Sequence, residues 1–319
     1  MEEALKVPFL KKWWISIRPF SLPASTMPVI FGTVLAVVYG DAHLNILNFI
    51  LAFTGMVILH GGANILSDIF DFQKGLDKVP SPVSGGVVRG LISIREAWIA
   101  SVGMLIVGSG IGFYLAYVSG PWLLAIGLLG LFVGTFYTTD TVVAMKYHGL
   151  GDLAVFLNFG ILGSLGAYYV QSSVLSWIPA IWAIPMSMLV IAILHANNWR
   201  DIQSDKAGKI FTIAALLGDK NSLRYYGVLI YGPFLVVLLL IMVPFLFFPK
   251  LAAMPFTFLI TLGALPLAFR LWKKALNRQN PSKPLDFIAL DGATAQLNLL
   301  FGSLCTLALI LYAVIHGIS

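Results

Sequence analysis

Nine stretches of this chain run for about 20 residues with almost no charged side chain, the length at which an α-helix crosses the hydrocarbon core of a bilayer. They lie near residues 20–40, 44–66, 97–118, 121–139, 150–171, 176–198, 225–247, 251–271 and 292–316. Runs this long and continuous exclude an outer-membrane barrel, whose strands alternate over about ten residues. Charged residues make up 11% of the 319 and hydrophobic ones 59%, whereas a soluble domain carries roughly 25% charge. So little charge cannot cover a water-facing surface, which excludes an ordinary soluble enzyme and a disordered chain. The expected fold class is an all-α integral membrane protein, a bundle of nine transmembrane helices.

The loops between the runs orient the bundle. The segments before, between and after the runs alternate between rich and poor in Lys and Arg, so that of the 20 such residues only Lys250 falls on the second side. By the positive-inside rule the N-terminus is cytoplasmic and, with an odd number of spans, the C-terminus is outside. The net charge of +6 then reads as membrane orientation, not as nucleic-acid binding. The single cysteine, Cys305, lies inside an apolar run and has no zinc-type spacing around it.

Two long cytoplasmic loops, about 67–96 and 199–224, hold most of the acids. At the end of the second run, Asn64, Asp68 and Asp71 are spaced to share one helix face, Gly75 marks the helix end, and Asp77 follows in the loop. At the end of the sixth run, Asn197, Asn198, Asp201 and Asp205 repeat the pattern, with the same four-residue step from Asn to Asp. A single such Asp is as easily a solvated partner of a nearby Lys or Arg. Two matched clusters on one side of the membrane point to function, because carboxylates at membrane depth are costly.

Like charges facing one another need a cation between them. Mg²⁺ fits, since it takes oxygen ligands and is usually held by one or two carboxylates together with substrate phosphates. Lys74, Arg89, Lys146 and Lys209 are placed to neutralise the rest of a diphosphate. An allylic diphosphate ionises when metal and cationic side chains stabilise its leaving group. The carbocation then needs a dry pocket, with aromatic faces to stabilise it.

These residues resemble the motifs of the UbiA superfamily of intramembrane aromatic prenyltransferases. The family's first motif, Asn-Asp-x-x-Asp, falls on Ser67-Asp68-Ile69-Phe70-Asp71, with Asp77 beyond it. Ser67 stands where the family has Asn, and Asn64, one turn earlier, is placed to supply the amide. The second motif falls on Asp201, Asp205, Lys209 and Thr212, and the family's intervening Tyr and Lys fall on Tyr137 and Lys146. Within the superfamily, the stretches Arg18-Pro-Phe-Ser-Leu-Pro-Ala24, Gly149-Leu-Gly-Asp152, His195-Ala-Asn-Asn-Trp-Arg-Asp201 and Thr294-Ala-Gln-Leu-Asn298 are most similar to MenA-type enzymes.

That resemblance implies one prenyltransferase domain over 1–319 in the cell membrane, multi-pass, with its active site facing the cytoplasm. It implies a polyprenyl diphosphate donor held in the lipid, a small aromatic acceptor, Mg²⁺ as cofactor and no nucleic-acid partner. The implied catalytic set is Asp68, Asp71, Asp201, Asp205, Lys146 and Tyr137. The implied metal ligands are Asp68, Asp71, Asp77, Asp201 and Asp205. The diphosphate would meet Asn64, Ser67, Arg89, Lys146, Asn198 and Lys209. For MenA-type enzymes the acceptor is 1,4-dihydroxy-2-naphthoate, whose carboxylate leaves as CO₂ in menaquinone biosynthesis. Other acceptors stay open: 4-hydroxybenzoate, homogentisate, a porphyrin or a glycerol phosphate. An ion-coupled secondary transporter is the reading of another class, although transporters place binding groups near the midplane. His60 and His195, just before the motifs, read as bundle hydrogen bonds, and Asp291-Gly292 reads as a helix start.

Overall fold

The computed structural model describes residues 7–75, 84–138, 144–248, 252–278 and 288–318. These residues form helices and connecting turns, with no strand among them. A short amphipathic helix, α1 (Phe9–Ser16), precedes the bundle. The long elements follow as α2 (Pro23–Tyr39), α3 (Ile46–Gln73), α4 (Ile94–Ser119), α5 (Pro121–Thr138) and α6 (Gly151–Ser172). Then come α7 (Ile184–Arg200), a short α8 (Ile202–Ala207), α9 (Ile213–Phe247), α10 (Leu265–Leu276) and α11 (Ile288–His316).

Seven helical segments among the described residues are long and apolar enough to cross a membrane, and α5 is a shorter apolar helix. The sixth expected run is interrupted: a helical turn at Ile178–Trp182 precedes α7, which has 17 residues. The eighth begins as a 3₁₀ helix, Phe256–Ala264, that continues into α10. The seventh starts earlier than its apolar run, because Thr212 caps α9 by accepting from the Ala215 N–H at 3.1 Å. Its first turns lie on the far side of Gly218, which sits at φ +68 and kinks the helix. The charged residues Lys220 and Arg224, which the sequence places in a loop, therefore lie on α9.

Local capping fixes the other starts. Asn45 caps α3 through the Asn48 N–H, and Ser93 and Glu96 form a reciprocal capping box at α4. The main core lies where α2, α7, α9 and α11 meet, around Phe31, Leu189, Trp199, Tyr226 and Phe301. Large apolar side chains on the outer helices face outward instead, such as Ile106, Phe113 and Phe132. An outside that apolar is stable against hydrocarbon, not water. The protein is a multi-pass helical membrane protein.

Candidate active site

The C-terminal ends of α3 and α7 flank one polar cavity of about 770 Å³. Eleven of the residues expected from the sequence line it: Asn64, Ser67, Asp71, Lys74, Tyr137, Lys146, Asn197, Asn198, Asp201, Asp205 and Thr212. Asp68, Arg89 and Lys209 do not, and Lys209 is exposed. Asp77 lies outside the described residues.

The helical register of α3 decides which acids face the cavity. Ser67 and Asp71 are one turn apart and project together, and Asn64 continues their row. Lys146 reaches across from the 3₁₀ turn Met145–Tyr147 and donates to Ser67 Oγ at 2.7 Å and to Asp71 Oδ1 at 2.6 Å. Tyr147 donates its hydroxyl to the same Asp71 oxygen at 3.0 Å, and the Lys74 ammonium lies 4.0 Å from the centre of the Tyr147 ring. Asn64 donates to the Ile17 carbonyl and to Ser21 Oγ, tying α3 to the segment before α2.

Asp68 takes a different direction from the one its spacing suggested. It is buried, accepts from the Val87 N–H at 2.7 Å and pairs with Arg18 at 3.3 Å. The turn at 84–90 can reach it only because residue 85 is glycine. A Cβ there would lie 2.3 Å from the carboxylate carbon. Asp68 thus pins two segments over the site. Asp68→Asn is expected to lower stability by about 1–3 kcal/mol, because a charge-assisted hydrogen bond is lost and Arg18 keeps no counterion there. A thermal unfolding midpoint in detergent equal to the parent's would move Asp68 from this anchoring role into the cavity's chemistry.

On the facing side α7 ends at Asp201, where the backbone breaks before α8, so Asp205 follows one turn later on a separate short helix. The Asp205 N–H still donates to the Asp201 carbonyl at 2.8 Å. Thr212 donates to Asp205 Oδ2 at 2.9 Å. Burial, and then the neighbouring Asp201 charge, push the Asp205 carboxyl up to about 7, against the pull of the Thr212 hydroxyl. The Phe211 N–H donates to the Tyr147 carbonyl at 2.9 Å, which links this half to the Lys146 turn.

Four cavity residues carry contacts that the spacing did not disclose. Arg200 donates to both oxygens of Asp201, at 2.9 and 2.8 Å, to Asp291 at 3.0 Å, and to Asn197. Asp291 is more than a helix start, since it brings α11 to the cavity through that pair. Arg18 and Tyr147 complete the list. The sequence signal for Arg200 and Tyr147 was adjacency to Asp201 and Lys146; Arg18 and Asp291 are far from both motifs in the chain. The histidines are structural: His60 bonds Ser25 and Ser21 with its two ring nitrogens, and His195 Nε2 donates to the Ser222 carbonyl.

The donor set is of oxygen atoms, with no cysteine or histidine in first place, which suits a hard cation such as Mg²⁺. Among the described residues no three acidic, histidine or cysteine side chains converge as a ready cage. Mg²⁺ does not need one, because it keeps several waters and takes phosphate oxygens as ligands. The residues therefore fit a metal that arrives with a phosphate. A second, apolar cavity of about 280 Å³ adjoins the first, and His60, Ala63, Gly134, Asn158 and Phe159 line both.

An acidic and cationic pocket at the end of a helical bundle with an apolar outside, opening onto an apolar cavity, is the site of a class of membrane prenyltransferases. The model described as the UbiA prenyltransferase family matches residues 25–290. The chain belongs to that family.

A 1,4-dihydroxy-2-naphthoate octaprenyltransferase of Bacillus subtilis (strain 168) is 32% identical over 213 residues, 66% of this chain and 67% of its own. UbiA prenyltransferase domain-containing protein 1 of Xenopus tropicalis is 31% identical over 225 residues, 70% of this chain and 64% of its own. The rat protein of the same name, from Rattus norvegicus, is 33% identical over 71% of this chain and 67% of its own. The chain thus spans about two thirds of the length of these relatives. The fold is shared with an apo UbiA homolog from Aeropyrum pernix K1, at a TM-score of 0.59 and 16% identity, over 90% of this chain and 97% of that one. It is shared also with a UbiA homolog from Archaeoglobus fulgidus bound to GPP and Mg²⁺, at 0.57 and 14% identity, over 92% and 99%.

Proposed function

We propose that this protein transfers a polyprenyl group from a polyprenyl diphosphate to a small aromatic acceptor in a Mg²⁺-dependent reaction. The acceptor proposed is 1,4-dihydroxy-2-naphthoate. The observation that carries the reaction is the junction of the two cavities, one polar and charged, the other apolar. The Bacillus subtilis relative supports the choice of acceptor.

Asp71 on one side and Asp201 with Asp205 on the other would hold the metal, which supplies charge stabilisation to the departing diphosphate. Lys146 and Arg200 add cationic donors to the same leaving group. The C1–O bond breaks with both electrons leaving on the diphosphate, and the allylic carbon is captured by a ring carbon of the acceptor. The ring regains aromaticity by losing the substituent at that carbon. The apolar cavity receives the tail and keeps water from the cation.

The reading also includes one domain over 1–319, nine spans, a cytoplasmic N-terminus and site, an outside C-terminus, and residence in the cell membrane. The alternation of Lys and Arg supports this orientation. Family membership and the gathering of the acids at helix ends speak against ion-coupled transport.

The test is transfer by the detergent-purified protein from geranylgeranyl diphosphate, with mass spectrometry of the product. A chelator-sensitive, decarboxylated prenyl-naphthol supports the reading. Product from 4-hydroxybenzoate alone would overturn the acceptor, and no product from any aromatic acceptor would overturn the reaction. Metal binding carries a pH signature too. A proton on Asp205 must leave before its carboxylate can bind a cation, so apparent Mg²⁺ affinity should rise about tenfold per pH unit up to about 7 and then level. Calorimetric titrations that are flat between about pH 5.5 and 8 would remove Asp205 from the metal set.

A further inference from the structure

We propose that the side-chain amide of Asn158 is the group that recognises a hydroxyl of the aromatic acceptor. The inference rests on the reaction proposed above. The diphosphate belongs with the acids and the tail with the apolar cavity, so the donor's C1 must lie at the neck between them. Five residues line both cavities and so form that neck: His60, Ala63, Gly134, Asn158 and Phe159.

Of these, Ala63, Gly134 and Phe159 offer no side-chain hydrogen bond. His60 already uses both ring nitrogens on Ser21 and Ser25, and its ring lies 4.5 Å from that of Phe159. Asn158 is different: its amide has no partner among the described residues. The residue is half-buried and its amide opens onto the cavities, so a bound molecule can supply the missing partner.

The backbone is shaped to put it there. Residues Phe156–Leu162 form a π-helical turn inside α6, and such turns concentrate at functional sites. The wider turn sets the consecutive residues Asn158 and Phe159 both into the neck. Opposite them α5 carries glycines. A Cβ on Gly130 would lie 3.0 Å from Asn158 Oδ1 and one on Gly134 3.5 Å from Nδ2. The missing side chains leave room at the amide.

A phenolic hydroxyl both donates and accepts, and the amide offers both. Ring carbons next to a hydroxyl are the electron-rich ones, so a hydroxyl held at Asn158 presents its neighbouring carbon to C1. Asn158 is a positioning residue in this scheme, acting on the acceptor and not on the diphosphate.

Asn158→Thr and Asn158→Val test it as a pair of nearly equal shape, one with a hydroxyl and one without. Any folding cost of losing the amide falls on both. The Val variant is expected to show an acceptor KM about tenfold or more above that of the Thr variant. The KM for geranylgeranyl diphosphate and the thermal unfolding midpoint should match between the two. Masking the acceptor hydroxyl as a methyl ether should cost the Thr variant more than the Val variant. Equal acceptor KM values in two active variants would overturn the inference and leave the reaction standing. Failure of the parent protein to prenylate any aromatic acceptor would instead overturn the reaction itself.

Discussion

Asp71→Asn and Asp205→Asn are each expected to cut turnover by about 10³-fold or more, roughly 4 kcal/mol of transition-state stabilisation. The two carboxylates line the cavity from α3 and α8, and the neighbouring Asp201 already has both of its oxygens engaged by Arg200. Losing one would remove an oxygen ligand from a metal that the proposed site holds with few protein ligands. Stability should respond with the opposite sign. The Asp205 carboxyl is pushed up to about 7 by burial and by Asp201. The metal-free fold therefore takes up a proton that the unfolded chain releases near pH 4, and its stability falls as pH rises through 7. Asparagine carries no such ionisation. The metal-free Asp205→Asn protein should unfold at a higher temperature than the parent at pH 8, and the gap should close toward pH 5. Turnover within tenfold of the parent, measured with Mg²⁺ in excess, would rule out either residue as a ligand.

The division between these acids and Asp68 shows where sequence pattern stops informing. Spacing of three and four residues correctly put Asn64 and Asp71 on a common side of α3, and Gly75 at its end, with φ +66 one residue past Lys74. It also grouped Asp68 with them, but an α-helix turns about 100° per residue, so Ser67 is the better companion for Asp71. What decided the matter was a partner 50 residues away, Arg18, together with a glycine at 85 that lets the Val87 N–H approach. Arg18 itself sits at φ 52, a left-handed conformation rare for a side chain of its size. No periodicity predicts that, because the tertiary contacts enforce it. The helical runs were readable because hydrocarbon demands apolar length. The interruption near Ala183, the 3₁₀ stretch at Phe256–Ala264 and the π turn around Asn158 were not, since each keeps an apolar composition while changing the hydrogen-bond pattern. The two motif halves were legible as matched acids, whereas Asp291 joined them only through Arg200.

Lys146→Met should separate the metal from the leaving group. Its ammonium lies between Ser67 and Asp71, at 2.7 and 2.6 Å, with the lysine and aspartate side chains 13% and 17% exposed. In this arrangement it holds the charge of Asp71 that a divalent cation would otherwise hold. A metal held by Asp71 would displace the ammonium, which would then be placed to pair with a diphosphate. Methionine keeps the length and apolar body of the side chain but carries no charge. Turnover should fall by about 10²- to 10³-fold, roughly 3–4 kcal/mol, because a cationic donor to the departing diphosphate is gone. Mg²⁺ affinity of the free protein should rise, because a competing cation has left Asp71. That is the reverse of Asp71→Asn, which should weaken metal binding and turnover together. Arginine is a poor substitute, since a planar fork cannot sit between two oxygens as a compact ammonium does, so Lys146→Arg should recover only a small part of the rate. Calorimetric Mg²⁺ titration alongside single-turnover transfer distinguishes the cases. A joint loss of metal affinity and rate in Lys146→Met would show that the lysine organises the metal site itself and does not act on the diphosphate.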